Sequence, residues 1–182
     1  MAEDKKIETA YLAGGCFWCL EAVFLRVKGV VSSVSGYAGG DKADPTYEEV
    51  SSGATGHAET VKIEFDPALI SYGDLLSIFF YIHDPTSVNR QGSDWGTQYR
   101  SAIFYENDGQ KKSATDFIDA LKRESAYKKP IVTEIKKLEK FYPAEDRHQR
   151  YFEKNPDKAY CALVIAPKVE KFKAAFKKFY LP

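Results

Sequence analysis

The chain has 182 residues, 44% of them apolar and 29% charged, which suits one domain of the usual roughly 100–200 residues with a buried core. Twenty-six Lys and Arg balance 26 Asp and Glu, so no net field draws the chain to nucleic acid or to an anionic bilayer, and neither is expected as a partner. No apolar run reaches the roughly 18 residues that a membrane span needs, and residues 1–6 are charged rather than the apolar stretch of a signal peptide, so a cytoplasmic protein is expected.

In chain order, residues 7–13 alternate loosely and predict a strand, broken by Gly14-Gly15. Residues 17–27 carry apolar side chains at helical spacing, with Gly29 as the stop. Residues 30–34 are β-branched and predict a second strand. Residues 36–47 are rich in Gly, Asp and Pro and predict a long loop. A strand is expected over 57–66, a buried helix over 72–83, and a second loop over 84–97. Then follow a strand over 99–105, an amphipathic helix over 110–124, a short strand over 131–135 and a charged helix over 144–154. Residues 162–165 read as a buried strand, and residues 168–178 as an amphipathic helix with a solvated Lys face. The order β-α-β-β-α-β, then α-β-α, predicts an α+β fold: a ferredoxin-like sandwich core with added helices and long functional loops.

The sharpest local signal is Gly14-Gly15-Cys16-Phe17-Trp18-Cys19-Leu20-Glu21. It places Cys16 at a helix start, where backbone N–H groups lack partners and the dipole favours a thiolate. Against this stands the plain reading of Cys16 as a small buried residue; the paired glycines argue for access. Cys19 completes a C-x-x-C pair, a redox spacing. Three cysteines are too few for a disulfide framework in a chain this long, and the three His are scattered singly, so no metal site is expected. Phe17 and Trp18 supply an apolar wall beside the thiol, suited to a small group such as a thioether methyl.

The residues Gly15-Cys16-Phe17-Trp18 resemble the signature of the methionine sulfoxide reductase A family. Further matches follow in the family's order. They include Ser35-Gly36-Tyr37-Ala38-Gly39-Gly40, Pro45-Thr46-Tyr47, Gly56-His57-Ala58-Glu59, Gly96-Thr97-Gln98-Tyr99-Arg100-Ser101, Phe141-Tyr142-Pro143-Ala144-Glu145-Asp146, and Lys154-Asn155-Pro156. The resemblance spans about residues 10 to 161 and implies one catalytic domain over residues 1–182. It implies reduction of methionine-S-sulfoxide, free or in proteins, with Cys16 as nucleophile. It further implies Glu59 as the acid that protonates the sulfoxide oxygen, Tyr47 and Tyr99 as phenols bonded to that oxygen, and Asp94 as an accompanying acidic residue. Phe17 and Trp18 become the substrate's methyl cage. No cofactor is implied beyond an external thiol reductant, with thioredoxin the family's usual one, and a monomer is the default. A carboxyl donates only when protonated, so Glu59 is expected to titrate high in an apolar surround.

Two positions depart from the family's pattern. Cys161 matches a resolving cysteine in place, but Ala162-Leu163-Val164-Ile165 lacks the glycines of a mobile tail. Cys19 stands where many members have Gly. Cys19 and Cys161 are therefore both candidates to resolve the sulfenic acid left on Cys16, with direct recycling by an external thiol as a third route. His57 and His148 read as hydrogen-bonded scaffold, and Tyr37 as a residue that shapes its Gly-rich loop. Two rival functions remain: a general thiol–disulfide oxidoreductase using Cys16 and Cys19, and a module that binds oxidised methionine without turnover.

Overall fold

The computed structural model describes residues 6–182; the charged start of the chain, residues 1–5, lies outside the described residues. β1 (Glu8–Ala13), α1 (Phe17–Phe24), β2 (Val30–Ala38), α2 (Tyr47–Ser51), β3 (Ala58–Phe65) and α3 (Tyr72–Ile82) come first. A two-residue hairpin of β4 (Arg90–Gln91) and β5 (Asp94–Trp95) leads to a 3₁₀ turn (Thr97–Tyr99) and β6 (Ala102–Tyr105). Then come α4 (Asp108–Arg123), β7 (Glu134–Lys137), β8 (Phe141–Pro143), α5 (Tyr151–Lys154) and α6 (Ala166–Ala175).

The sheet runs β7-β6-β1-β3-β2-β8. Its inner four strands, β6-β1-β3-β2, are antiparallel neighbours throughout, with α1 linking β1 to β2 and α3 lying between β3 and β6. That is the ferredoxin-like split β-α-β arrangement expected from the element order. β7 adds in parallel to β6, and β8 antiparallel to β2. Leu12, Val61, Ile63 and Ile103 of the sheet meet Leu20 and Phe24 of α1 and Leu75 and Phe79 of α3 in one core. Each such side chain, withdrawn from water, contributes roughly 1.5–3 kcal/mol. Ser71 and Asp74 form a capping box that fixes where α3 starts. Among the described residues no helix is long and apolar enough to cross a membrane.

Several elements differ from expectation for local reasons. β2 continues past residue 34 to Ala38, because Gly36 admits the neighbouring strand rather than turning the chain. A Cβ there would fall 2.3 Å from Phe141 and 2.4 Å from the Tyr142 carbonyl oxygen. α2 lies in what reads as loop; Thr46 and Glu49 close a capping box around it. The strand expected over 99–105 begins only at Ala102, and that expected over 131–135 lies at Glu134–Lys137, where β6 offers a parallel partner. The helix expected over 144–154 is broken: a 3₁₀ turn (Asp146–His148) precedes α5, and Arg150 between them is left-handed, with φ of 53°. The strand expected over 162–165 is instead a π-helical turn (Cys161–Ile165) that runs into α6. Cys161 and Ile165, four residues apart, are both fully buried while Leu163 is 75% exposed, a helical and not an alternating pattern. Length and hydrophobicity alone do not separate these two readings of a short apolar run.

Candidate active site

The turn between β1 and α1 places the first thiol. Gly15 has φ of +94°, a conformation that favours glycine, and a Cβ on it would meet Gln91 at 2.7 Å. Cys16 follows as the N-cap of α1, its carbonyl accepting the backbone N–H groups of Cys19 and Leu20. The Cys16 side chain makes no cap hydrogen bond, so the orphan N–H groups of the first turn need other partners. One is found on β3: the Phe17 N–H donates to Glu59 Oε2 at 2.9 Å. Glu59 therefore performs the capping that a Ser or Asp usually performs, while being itself only 1% exposed.

Burial decides the protonation of this carboxyl. It raises the Glu59 pKa to about 8, against the opposing pull of the Phe17 N–H; the nearby Asp94 and Cys19 charges push it further up. At neutral pH most of Glu59 is the neutral acid, the form that can donate. Burial also pushes the Cys16 thiol well up, reinforced by its hydrogen bond to Cys19 and by the Glu59 charge. That same hydrogen bond draws Cys19 down to about 7. The helix dipole alone therefore does not offset burial at Cys16, whose thiol is pushed up while that of Cys19 is drawn down; the Tyr160 hydroxyl favours the thiolate at both sulfurs.

The structure brings the sequence-predicted residues together. Tyr47, the first residue of α2, and Tyr99, the last of its 3₁₀ turn, are half-buried. Burial raises both phenols, and both feel the charges of Glu59 and Cys16; Tyr99 also feels Asp94. Phe17 is fully buried, with its ring 5.7 Å from Tyr37, 6.4 Å from Tyr47 and 6.3 Å from Trp18. Asp94 enters from the β4–β5 hairpin and accepts the Tyr160 hydroxyl at 2.7 Å. All three cysteines are free and buried. Cys161 lies within electrostatic reach of Cys19, from the π-helical turn.

His57 is scaffold: Gly40 N–H donates to its Nδ1, so Nε2 carries the proton and donates to the Lys42 carbonyl at 2.7 Å. His148 belongs to the site wall as well as to the scaffold. Its Nδ1 accepts from the Trp18 indole at 3.3 Å and its ring lies 4.2 Å from that of Tyr47; burial lowers its pKa, which favours the neutral ring. Tyr37 is part of β2 rather than of a loop and donates to Glu145, which also accepts the Tyr47 N–H. Tyr151 and Tyr160 escaped the sequence reading. Tyr151 stacks flat on Trp18, centroids 3.7 Å apart and planes at 6°, and Tyr160 meets Trp18 edge-on at 5.8 Å. No local motif marks either one; the only hint is that Tyr160 adjoins Cys161. Among the described residues no group of three or more His, Cys, Asp or Glu is placed to hold a metal.

A thiol pair at a helix start, facing a carboxyl held in its neutral form and two phenols, is the equipment of a cysteine-dependent oxidoreductase. Comparison with known proteins gives the particular family. The profile of the peptide methionine sulfoxide reductase family matches residues 8–180. A relative from Polynucleobacter asymbioticus, named peptide methionine sulfoxide reductase MsrA, is 54% identical over 97% of this chain and 93% of its own. Methionine sulfoxide reductase A of Corynebacterium diphtheriae superposes with a TM-score of 0.79 at 38% identity, covering 85% of this chain and 77% of its own. Reduced Mxr1 from Saccharomyces cerevisiae gives 0.78 at 34%, covering 88% and 92%. Mxr1 has also been solved in complex with Trx2. The chain belongs to the peptide methionine sulfoxide reductase family and is an oxidoreductase of its A class.

Proposed function

We propose that the chain reduces methionine-S-sulfoxide, free or in proteins, by attack of the Cys16 sulfur on the sulfoxide sulfur. The observation that carries this reading is Glu59, a buried carboxyl titrating near 8 that is bonded to the N–H of the residue after Cys16. As Cys16 attacks, its proton passes to Cys19 along their hydrogen bond. Glu59 gives its own proton to the sulfoxide oxygen, whose growing negative charge Tyr47 and Tyr99 also stabilise. The S–O bond to methionine breaks as the hydroxyl bonds to the Cys16 sulfur, the transient bond between the two sulfurs breaks with it, methionine leaves with that electron pair, and Cys16 is left as a sulfenic acid. Phe17 and Trp18 hold the methyl while the acid and phenols hold the oxygen, so only one hand of the sulfoxide presents its sulfur to Cys16. Asp94 anchors the phenol of Tyr160 at the edge of this group.

Cys19 then closes a disulfide with Cys16. It is the favoured candidate because its titration and that of Cys16 shift each other and it follows Cys16 by three residues on the same turn. Cys161 is buried in the π-helical turn, and the thiol whose charge raises its pKa is Cys19. An external thiol restores the pair; a thioredoxin-like protein fits that part, as Trx2 partners yeast Mxr1.

An assay of the two separated sulfoxide epimers with dithiothreitol as reductant tests the reading. The S epimer yields methionine and the R epimer does not. Equal rates on both would refute the pocket, and insulin-disulfide reduction without methionine formation would point to a general thiol–disulfide oxidoreductase.

A further inference from the structure

Tyr160 links Trp18 and Cys19 on α1 to Asp94 on the β4–β5 hairpin. Its ring meets Trp18 edge-on. Its hydroxyl donates to Asp94 Oδ2 at 2.7 Å, and the same oxygen lies 3.9 Å from the Cys19 sulfur. A phenol has one proton to donate. With that proton committed to Asp94, the oxygen can only accept from the thiol, so a protonated Cys19 points its S–H at Tyr160. The direction of that bond matters for chemistry. A sulfur whose hydrogen is turned toward Tyr160 keeps its lone pairs free for another partner, and Cys16 is the neighbour they reach.

We propose that Tyr160 is a positioning residue for disulfide closure: its hydroxyl, anchored on Asp94, holds Cys19 with its hydrogen turned away from the sulfenic acid on Cys16. The inference rests on the reading of Cys19 as the resolving thiol. The step it serves is balanced: the S–H bond of Cys19 and the S–O bond of Cys16 break, the S–S bond forms, and proton and hydroxyl leave together as water. Cys19 sulfur is oxidised and Cys16 sulfur reduced. The Tyr160 hydroxyl also favours the thiolate of Cys16, so it bears on the earlier attack too, but there the proton of the oxygen comes from Glu59, whereas in closure the orientation of Cys19 rests on Tyr160 alone.

Tyr160→Phe keeps the ring against Trp18 and removes only the hydroxyl. The fully reduced protein, freed of reductant and mixed with one equivalent of methionine sulfoxide, is quenched at intervals. Methionine is measured by chromatography, sulfenic acid by dimedone capture and the disulfide by peptide mass. In Tyr160→Phe, disulfide closure slows about tenfold, the scale of one lost hydrogen bond, and by more than methionine formation slows, so that dimedone-reactive Cys16 accumulates. The defect is largest below about pH 7, where Cys19 carries its proton, and disappears by about pH 9, where Cys19 is ionised without a positioned acceptor; a merely misshapen wall would show no such pH dependence. An unchanged closure rate, or equal slowing of both steps, overturns the role of Tyr160 while leaving Cys19 as resolver. A wild-type disulfide mapped between Cys16 and Cys161 overturns both.

Discussion

The site is made from two kinds of structure. Cys16, Phe17, Cys19 and Glu59 stand on α1 and β3, inside the ferredoxin-like core, where regular hydrogen bonding and packing fix each backbone position. The opposite wall comes from short turns: Asp94 on a two-residue strand, His148 on a 3₁₀ turn, Tyr151 after a left-handed residue, and Tyr160 before a π-helical turn. In the mechanism proposed above, the first wall holds the groups that make and break bonds, and the second holds rings and hydrogen-bond partners that shape access to them. Where the reacting atoms need fixed geometry the fold supplies a strand and a helix; where a substrate enters and thiols exchange it supplies turns.

If that division is sound, substitutions in the core wall stop chemistry and those in the turn wall tune it. Cys16→Ser sets the upper limit: with a hydroxyl that stays protonated and cannot become a sulfenic acid, methionine formation drops below about 1% of wild type, measured by chromatography on a protein whose circular dichroism is unchanged. Glu59→Gln follows, slowing the single-turnover reductive step by about 10²- to 10⁴-fold, the scale of a lost positioned acid. The pH profile sharpens this. The Glu59 acid is present below about 8 and lost above it, so the wild-type single-turnover rate falls as pH rises through that value. The glutamine variant has no such limb. A normal single-turnover rate for Glu59→Gln near neutral pH would make Glu59 a structural carboxylate and leave the proton to a tyrosine or a water.

Tyr47→Phe and Tyr99→Phe come next, each costing about tenfold because the other phenol and Glu59 remain; the double substitution costs more than either alone, as donors to one oxygen act together. Stopped single-turnover assays on the three variants give the comparison. Two singles as damaging as Glu59→Gln would place the phenols on the reacting wall and remove the distinction drawn above.

The same division governs what could be read from the sequence. Regular elements announce themselves: the helical spacing over residues 17–27, of which α1 takes Phe17–Phe24, and the strand ended by Asp66-Pro67 carry their period in the chain, and the two glycines before Cys16 mark the turn. The residues themselves mark Cys16, Phe17, Trp18 and Cys19, whereas Glu59, Tyr47, Tyr99 and Asp94 are implied only by the family resemblance. What local pattern does not hold is which turn wall meets them. The aromatic stack of Tyr151 on Trp18 and the bond from Tyr160 to Asp94 join residues 133 and 66 positions apart. Residues 162–165 read as a strand, not as the π-helical turn that starts at Cys161, because Ala162-Leu163-Val164-Ile165 is too short for its period to show. The resting state of the thiol pair was also hidden: a helix start favours the thiolate, but the burial that opposes it comes from tertiary packing.

The smallest expected effect concerns the joint between the two walls. Glu21, on α1, is 1% exposed and accepts the backbone N–H of Arg150 at 2.8 Å, through Oε2, while its other oxygen lacks a partner among the described residues. Burial lifts its pKa from the ordinary 4.5 to about 7, outweighing the Arg150 and Tyr151 N–H groups. The neutral form is thus the one the fold favours. Its contribution is full below the ordinary carboxyl pKa and is lost as pH rises through about 7, when a charge must sit in the core. Glu21→Gln keeps an acceptor for Arg150 but does not titrate. Between pH 6 and 8 the wild-type melting temperature should therefore fall relative to that of Glu21→Gln, by a few degrees, corresponding to on the order of 1–2 kcal/mol. Taking the difference between the two proteins cancels histidines and other groups that titrate in the same range. Single-turnover methionine formation should differ by less than about threefold, since Glu21 touches only the peptide that carries the turn wall. Parallel melting curves across that range would show that Glu21 is charged or solvated in the folded protein, and the α1–Arg150 joint would then have to be held by the Trp18–Tyr151 stack.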